Sequence, residues 1–323
     1  MSKLLDYNEA VKQINSGKLL VISASASMLE KLPKGNYIAG STYYFLIDGK
    51  GEECNDKYYI EELPDDIKDY KIITYDEGAI KDINKNIPIN GFGYCLIPFG
   101  CKTHFEFALN APNYDEFAMK NLYGFITGVR KEDIGKMNGV VIDGLTGTIY
   151  DNKAITLNVA LNNSYSAEID IINPFEPDRT KRIEFLEDSF EVKEAIINDK
   201  KLNFIEYLKE NNIDIRYPIL NDAFGAKVNI SFLKVEGDKV LMGSPVFKGT
   251  TYYFTKVTDY TEELSKVEVH EKPYLSCNCF LNYLYMGLEG KTLNRTISGP
   301  ITFGEIAYRL LNQTIVNLYI KKT

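Results

Sequence analysis

Short runs of β-branched and aromatic residues, separated by glycine, asparagine and aspartate, are the feature that most constrains the fold of this 323-residue chain. Residues 37–47, for example, are rich in Tyr and Ile and end at Asp48-Gly49, a dipeptide typical of hairpin turns. Helical spacing of apolar residues is confined to a few short segments. The sequence therefore predicts an α+β fold (mixed α/β) with largely antiparallel sheets and flanking helices.

The predicted elements are distributed along the whole chain. Strands are predicted at residues 19–22, 37–47, 71–75, 92–98, 155–161, 167–172, 182–185, 228–233, 239–242, 250–257 and 314–320, with a turn–strand–turn at 138–147. Helices are predicted at residues 7–14, 27–32, 114–123, 204–209 and 277–288. The last of these helices has the clearest pattern, because its apolar residues recur at three- and four-residue spacing.

A repeated segment bears on the domain organisation. The letters GSTYYF at residues 40–45 return as GTTYYF at 249–254. Together with a length that suits two domains of about 150 residues, the repeat favours an internally duplicated, two-lobed fold with lobes at 1–150 and 151–323. Coincidence between two strands rich in Tyr and Thr is the alternative. A two-lobed fold would place a ligand pocket between the lobes.

Charge and cysteine content exclude several classes of protein. The chain has 45 acidic and 37 basic residues, a formal net charge of −8, which argues against nucleic acid or an anionic membrane as a partner. It has no apolar run near the roughly 20 residues that cross a bilayer, and its first residues do not resemble a signal peptide. Five scattered cysteines do not form a disulfide framework. These features predict a soluble, cytoplasmic protein with reduced thiols.

Cofactor and metal motifs are missing from the sequence. Gly91-Phe-Gly93 lacks the third glycine of a dinucleotide-binding turn, and no Gly-Lys-Ser/Thr phosphate loop is present. Cys277-Asn-Cys279 has no second pair at the spacing of zinc ligands. The expectation is a protein without a cofactor or a metal ion.

A catalytic interpretation depends on the start of the predicted 277–288 helix. The partial positive charge of a helix N-terminus suits an anionic ligand and lowers the pKa of a thiol. Cys277 or Ser276 would then act with a base, and His104 and His270 are the only histidines. This combination predicts a hydrolase or transferase. The alternative is that the cysteines are small apolar residues buried at a helix start.

Two further segments carry polar residues suited to a ligand. His104 and Asn110 alternate with apolar residues ahead of Pro112, and a histidine there would titrate near neutral pH. In the loop at 221–231, Gly225 allows close backbone approach. Asp222 and Lys227 would form an ion pair or flank a polar ligand. Structural roles are the alternative for each of these residues.

Adjacent acidic residues occur at positions 52–53, 61–62 and 65–66. They lie in charged stretches, which is typical of solvated surface. They do not suggest a pair of carboxyl groups for acid–base catalysis.

The C-terminal sequence resembles a known family. Residues 298–307 (SGPITFGEIA) and 311–316 (LNQTIV) are similar to the closing motif of FIST (F-box and intracellular signal transduction) sensory domains. Ser276-Cys277 and the segment Tyr37-Ile-Ala-Gly-Ser-Thr42 are also similar to that family. The whole chain resembles an uncharacterised bacterial family related to FIST, through Asn110-Ala-Pro112, Cys277-Asn-Cys279 and residues 299–306.

This resemblance implies a two-lobed sensory protein that binds a small ligand, such as an amino acid or related metabolite. The chain shows no kinase, cyclase, methyl-accepting or F-box segment, so it would signal through a separate partner protein. Gly299-Pro300 and Gly304 would allow close approach of the ligand, and Glu305 would bind an ammonium group. The candidate ligand-binding residues are Ser41, Thr42, His104, Asn110, Asp222, Ser276, Cys277, Glu305 and Asn312, with Gln313 and Thr314 as further hydrogen-bonding groups.

Two alternatives remain open on the sequence alone. In the first alternative, Glu305 and Asn312 hold the C-terminal hairpin to its neighbours rather than bind a ligand. In the second alternative, the 23 tyrosines and 17 phenylalanines form the surface of a protein-interaction module.

Overall fold

A computed structural model describes residues 3–64, 67–223, 226–256, 259, 262, 269, 271–293 and 296–323. The chain forms two compact units. The first unit comprises Met1–Ile172, Glu268–Leu310 and Ile315–Thr323, and the second comprises Asn173–Val267 and Leu311–Thr314. These units group the chain differently from the halves 1–150 and 151–323, and that division stays a prediction.

The described α-helices are short. They are α1 (Tyr7–Asn15), α2 (Ala26–Leu29), α3 (Lys102–Asn110), α4 (Phe204–Glu210) and α5 (Phe280–Met286), with 3₁₀ helices at Ile80–Asn86, Ala111–Asn113 and Lys131–Asp133. Helix α1 begins with a capping box, in which the Asp6 carboxylate accepts from the Glu9 amide (2.9 Å) and the Glu9 carboxylate accepts from the Asp6 amide (3.1 Å). Within the described ranges, none of the helices has the length and apolar character needed to cross a membrane.

Three six-stranded sheets form the first unit. In spatial order, sheet I contains β1 (Lys3–Leu5), β6 (Tyr58–Glu62), β2 (Leu20–Ala24), β3 (Tyr37–Ser41), β10 (Val141–Asp143) and β11 (Thr148–Tyr150). Sheet II contains, in the same sense, β26 (Arg309–Leu311), β25 (Glu305–Ala307), β9 (Leu122–Thr127), β8 (Gly91–Pro98), β12 (Ala154–Leu161) and β7 (Ile67–Tyr75). Sheet III contains β13 (Tyr165–Ile172), β27 (Ile315–Lys322), β23 (Leu275–Cys279), β24 (Gly299–Thr302), β4 (Tyr44–Ile47) and β5 (Lys50–Glu53).

The second unit contains two sheets. Sheet IV contains β17 (Lys200–Asn203), β16 (Glu194–Ile197), β14 (Pro177–Phe185), β22 (Thr251–Thr255), β18 (Ile219–Ala223) and β19 (Ala226–Ile230). Sheet V contains β15 (Ser189–Val192), β21 (Lys239–Val246) and β20 (Phe232–Glu236). Both sheets contribute to one apolar core with helix α4, in which the Phe204 ring stacks on Phe232 at 6.2 Å.

The predicted fold class is confirmed as a mixed α/β protein with mostly antiparallel sheets. Parallel pairs join β2 to β3, β8 to β9 and β23 to β24, whereas most of the other strand pairs in the described structure are antiparallel. The duplicated, two-lobed arrangement stays a prediction. The first copy of the repeat spans the end of β3 and the start of β4, whereas the second lies at the turn before β22 and within it.

One predicted helix is wrong, and another is confirmed only over residues 280–286. Residues 114–123 form turns followed by the start of β9, because Glu116 and Ala118 adopt positive φ values of 57°, which no right-handed helix contains. The neighbouring helix α3 was not predicted. The 277–288 helix begins only at Phe280, since Cys277 lies within β23, where it pairs with Val316 of β27.

Sheet I is covered on both faces. Ala10 and Ile14, one turn apart on α1, pack with Ile60 and other residues on one face. On the opposite face, Tyr59 stacks on Phe45 at 5.5 Å. Alternation along β6 therefore places Glu61 on the same buried face as Tyr59.

Candidate functional site

The carboxyl group of Glu61 is buried within the first unit. Only 2% of the residue is exposed, so its prediction as solvated surface is wrong. The Tyr94 hydroxyl donates to Glu61 Oε2 at 3.0 Å, whereas Oε1 has no hydrogen-bond partner among the residues that the structure describes. Burial raises the pKa of Glu61 from 4.5 to about 8, with the Tyr94 hydrogen bond opposing the shift. The carboxyl is therefore mainly protonated at neutral pH.

Four more side chains extend this group into a buried acidic cluster, comprising Glu61, Tyr94, Tyr123, Cys277 and Glu305. The rings of Tyr94 and Tyr123 lie 5.0 Å apart on adjacent strands of sheet II. The Cys277 thiol donates to the Gly124 carbonyl at 3.6 Å. Glu305, fully buried on β25, accepts from the Thr302 hydroxyl at 3.1 Å. Sheets I, II and III therefore all contribute to the cluster.

A pocket of about 430 Å³ lies at the edge of this cluster, within the first unit. Its lining includes Glu61 and Glu62 from the end of β6, Glu271, Lys272 and Tyr274 ahead of β23, and Tyr319 of β27. We call it the Glu61 pocket. Its volume is within the range of small-molecule sites.

The walls of the Glu61 pocket carry both charges. Glu62 pairs with Lys18, and its carbonyl accepts from the Tyr274 hydroxyl at 2.6 Å. Lys272 is exposed and has no ion pair with any described residue. The exposed Glu271 accepts at its carbonyl from Tyr319 at 3.5 Å. A cation and a carboxylate are therefore both available to a ligand.

The structure opposes the predicted activation of Cys277. The residue lies in a strand, three positions before α5 begins, so the partial charge of a helix N-terminus does not act on it. Burial and the nearby Glu305 charge raise the pKa of the Cys277 thiol well above its ordinary value. Ser276, on the opposite face of the strand, donates from its hydroxyl to Asn317 Oδ1 at 2.7 Å.

His104 has different neighbours from Cys277. Its Nδ1 accepts from the Gly100 amide at 3.4 Å, and its ring lies 5.8 Å from Phe99 and 5.2 Å from Phe105. Burial lowers the pKa of His104 from 6.5 to about 4, so the imidazole is neutral at pH 7 rather than titrating there as expected. His270, the other candidate base, lies outside the described residues.

Ser41 and Thr42 serve the packing of the first unit and do not line the Glu61 pocket. The Ser41 hydroxyl donates to the Gly128 carbonyl (2.8 Å) and accepts from the Val140 amide (2.9 Å). The Thr42 hydroxyl donates to the Ile301 carbonyl at 2.6 Å.

Replacing Ser41 with alanine is expected to lower the free energy of unfolding by about 1–3 kcal/mol, because the partly buried Val140 amide and the buried Gly128 carbonyl each lose a partner. Urea denaturation measures the change. Ser164→Ala is the matched control, since Ser164 is exposed and its side chain has no hydrogen bond to a described residue. Equal stability of the two variants would contradict the assigned role of Ser41.

The other predicted ligand residues are also separate from the Glu61 pocket. Asn110 is the last residue of α3 and is half-buried. Asp222 and Lys227 face each other across the β18–β19 hairpin, yet their predicted ion pair is wrong, because Asp222 pairs with Arg179 and Lys227 with Glu176. Gly225 lies outside the described residues.

Asn312 belongs to a turn that is hydrogen-bonded within the second unit. Asn229 donates from its side chain to the carbonyls of Asn312 (3.1 Å) and Gln313 (3.2 Å). The Ser231 hydroxyl donates to Gln313 Oε1 at 2.5 Å. These contacts favour the alternative in which the Asn-Gln-Thr motif holds neighbouring segments together.

Of the sequence-predicted residues that the structure describes, Cys277 and Glu305 lie together in the acidic cluster. Sequence patterns alone did not indicate Glu61, Tyr94, Tyr123, Lys272 or Tyr274. One signal was available for Glu61: apolar or aromatic residues at 58, 59 and 60 indicate a strand buried on both faces. Among the described residues, no three His, Cys, Asp or Glu side chains converge as metal ligands would.

The fold and site define a mixed α/β protein with several sheets and an acidic cluster buried beside a small-molecule-sized pocket. The chain belongs to a family of unknown function, DUF6976, whose model matches residues 5–321. No curated protein matches the chain at a significant level. The resemblance to the FIST domain stays a prediction.

Proposed function

We propose that this chain is a non-enzymatic, sensory-type protein that binds a small molecule in the Glu61 pocket. An amino acid or a related metabolite is the proposed ligand, and a separate protein receives the signal. The observation that carries the proposal is the buried carboxyl of Glu61, a residue that lines a 430 Å³ pocket; one oxygen of this carboxyl has no hydrogen-bond partner in the described part of the chain. Free polar groups at the edge of a pocket are typical of ligand sites.

The charges of the pocket agree with this class of ligand. Lys272 is available for a carboxylate, and Glu271 is available for an ammonium group. Tyr274 and Tyr319 supply aromatic surface for the ligand's carbon skeleton.

Catalysis by Cys277 is not proposed, because its thiol is buried and protonated and its contacts with the described residues do not include an imidazole. An aromatic interaction surface is not proposed either. Tyr7 and Phe105 are the most exposed aromatic side chains among the described residues, and they are only 45% and 42% exposed.

A thermal-shift screen against amino acids and common metabolites tests the proposal. A ligand at about 100 times its Kd stabilises by about 2.7 kcal/mol, which raises the Tm of a chain this size by several degrees. Lys272→Ala is expected to weaken binding of a carboxylate-bearing hit at least tenfold, because the variant removes a cation of the pocket that forms no ion pair with a described residue.

Lys209→Ala is the matched control, since Lys209 is an exposed lysine of α4 in the second unit and has no ion pair with a described residue. A library without a single stabilising compound would refute small-molecule binding. Hits that Lys272→Ala and Lys209→Ala leave equally unaffected would place the ligand elsewhere.

A further inference from the structure

Resting on the proposed function, we infer that the ligand carries a primary ammonium group, which binds the Glu61 carboxylate as that carboxyl releases its proton to solvent. Ligand binding is then coupled to pH. The inference concerns the charge and geometry of the ligand's head group.

The hydrogen bonding of the Glu61 carboxyl determines which kind of cationic group on the ligand fits the site. Tyr94 already donates to Oε2, whereas the buried Oε1 has no hydrogen-bond partner among the residues described, so Oε1 is the oxygen that the ligand would use. A guanidinium binds a carboxylate best through two parallel hydrogen bonds to two oxygens. An ammonium is a compact charge that needs a single oxygen from each partner. The geometry therefore favours an ammonium group over a guanidinium.

The surrounding charges favour a cation over an anion at this position. On the core side, Glu61 faces Tyr94 of β8, Tyr123 of β9 and Cys277 of β23, all of them neutral because burial raises their pKa values well above the ordinary range. Tyr59 lies beside Glu61 on the same face of β6. No described residue of the core side therefore brings a positive charge to Oε1.

On the pocket side, the charged groups are Glu62, Glu271 and Lys272. Lys18 forms an ion pair with Glu62 and neutralises its charge. The remaining two charges, on Glu271 and Lys272, are opposite and sum to zero. Among the described residues, no cation is therefore paired with the Glu61 carboxyl, and an arriving ammonium group would compensate its negative charge.

The exchange balances in atoms and charge. The protonated carboxyl loses H⁺ to solvent, and the carboxylate that remains accepts a hydrogen bond from R–NH₃⁺. The Tyr94 hydroxyl keeps its hydrogen bond to Oε2 and stabilises the anion. Because Glu61 has a pKa of about 8 in the free protein, the ligand releases about one proton per molecule bound at pH 6.5.

Butylammonium, butylguanidinium and butyrate are matched probes for this inference. Their affinities are measured by thermal-shift titration at pH 6.5, 7.5 and 8.5. Proton release is measured by calorimetry in two buffers of different ionisation enthalpy. Butylammonium is expected to bind most tightly, with an affinity that rises about tenfold from pH 6.5 to 7.5 and levels off above pH 8.

Two variants distinguish Glu61 from its neighbours. Glu61→Gln keeps an oxygen for the Tyr94 hydroxyl and is expected to abolish both proton release and the pH dependence. Glu271→Gln is expected to weaken binding while proton release continues. If Glu61→Gln does not fold, Tyr94→Phe replaces it, and the rise in affinity should then shift to higher pH because a hydrogen bond to the carboxylate is lost.

The outcomes separate the two proposals. Butylammonium binding without proton release, or tighter binding of butyrate or butylguanidinium, would overturn this inference and leave the proposed function intact. Failure of these probes and of every metabolite in the screen would overturn the proposed function, and this inference with it.

Discussion

Gly299→Ala is expected to lower the free energy of unfolding by at least about 3 kcal/mol, or to prevent folding. A Cβ atom at this position would lie 1.8 Å from the Ser276 carbonyl oxygen and 2.7 Å from its carbon. Both are backbone atoms of β23, the parallel neighbour of β24, so no side-chain rotation relieves the overlap. Urea denaturation of the wild type and the variant measures the loss.

Gly78→Ala is the control for this substitution. The nearest atom to a Cβ there is Asp76 Oδ1 at 3.6 Å, and the residue does not have a positive φ. Its stability is expected to stay within about 1 kcal/mol of wild type. Equal stability of the two variants would contradict the close contact between the backbones of β24 and β23 at Gly299.

The surroundings of Gly299 show that a sequence motif does not identify which group lies close to a glycine. The sequence motif predicts that the Gly299 backbone allows close approach of a ligand, and that ligand stays a prediction. In the folded chain, the approaching group is the backbone of the neighbouring strand. Nothing in residues 298–307 identifies that neighbour, because β23 lies more than 20 positions upstream.

Local chemistry explains why most strands and turns were predictable. The hairpin at Asp48-Gly49 requires positive φ at both residues, and they adopt 46° and 75°. Helix α1 carries its own start signal in the Asp6–Glu9 capping box. Such features are encoded within a few residues, so no tertiary information is needed to find them.

The errors lie where distant contacts decide the structure. Cys277 suits a helix or a buried strand equally well, and pairing with β27, almost 40 residues downstream, fixes it as strand. The burial of Glu61 is likewise set by sheet II, through a tyrosine 33 residues away. A single sequence without that pairing favours a solvated acidic pair, so the central residue of the candidate site was missed.

The pH dependence of stability is the second large effect expected. The pKa of His104 falls from 6.5 to about 4 on folding. The contribution of His104 to the free energy of unfolding is therefore present above pH 6.5 and is lost as the pH falls toward 4. The pKa of Glu61 rises from 4.5 to about 8 on folding. The contribution of Glu61 to the free energy of unfolding is therefore present below pH 4.5 and is lost as the pH rises toward 8.

These two contributions oppose each other between pH 4.5 and 6.5. In that range the unfolded chain holds one extra proton on His104, and the folded chain holds one extra proton on Glu61. Their slopes cancel. Above pH 6.5, Glu61 is the one of these two groups that still acts, and the free energy of unfolding is expected to fall by about 1.4 kcal/mol per pH unit, or about 2 kcal/mol by pH 8.

Urea denaturation of wild type, Glu61→Gln and His104→Asn from pH 4.5 to 8 separates the two groups. Glu61→Gln should remove the decline above pH 6.5 and show a rise with pH up to 6.5, since His104 then acts alone. His104→Asn, which keeps an acceptor for the Gly100 amide, should show a decline that begins near pH 4.5. A decline above pH 6.5 that persists in Glu61→Gln would mean that another group holds the extra proton. The Glu61 carboxyl would then already be ionised in the free protein, and a cationic ligand would bind it without releasing a proton.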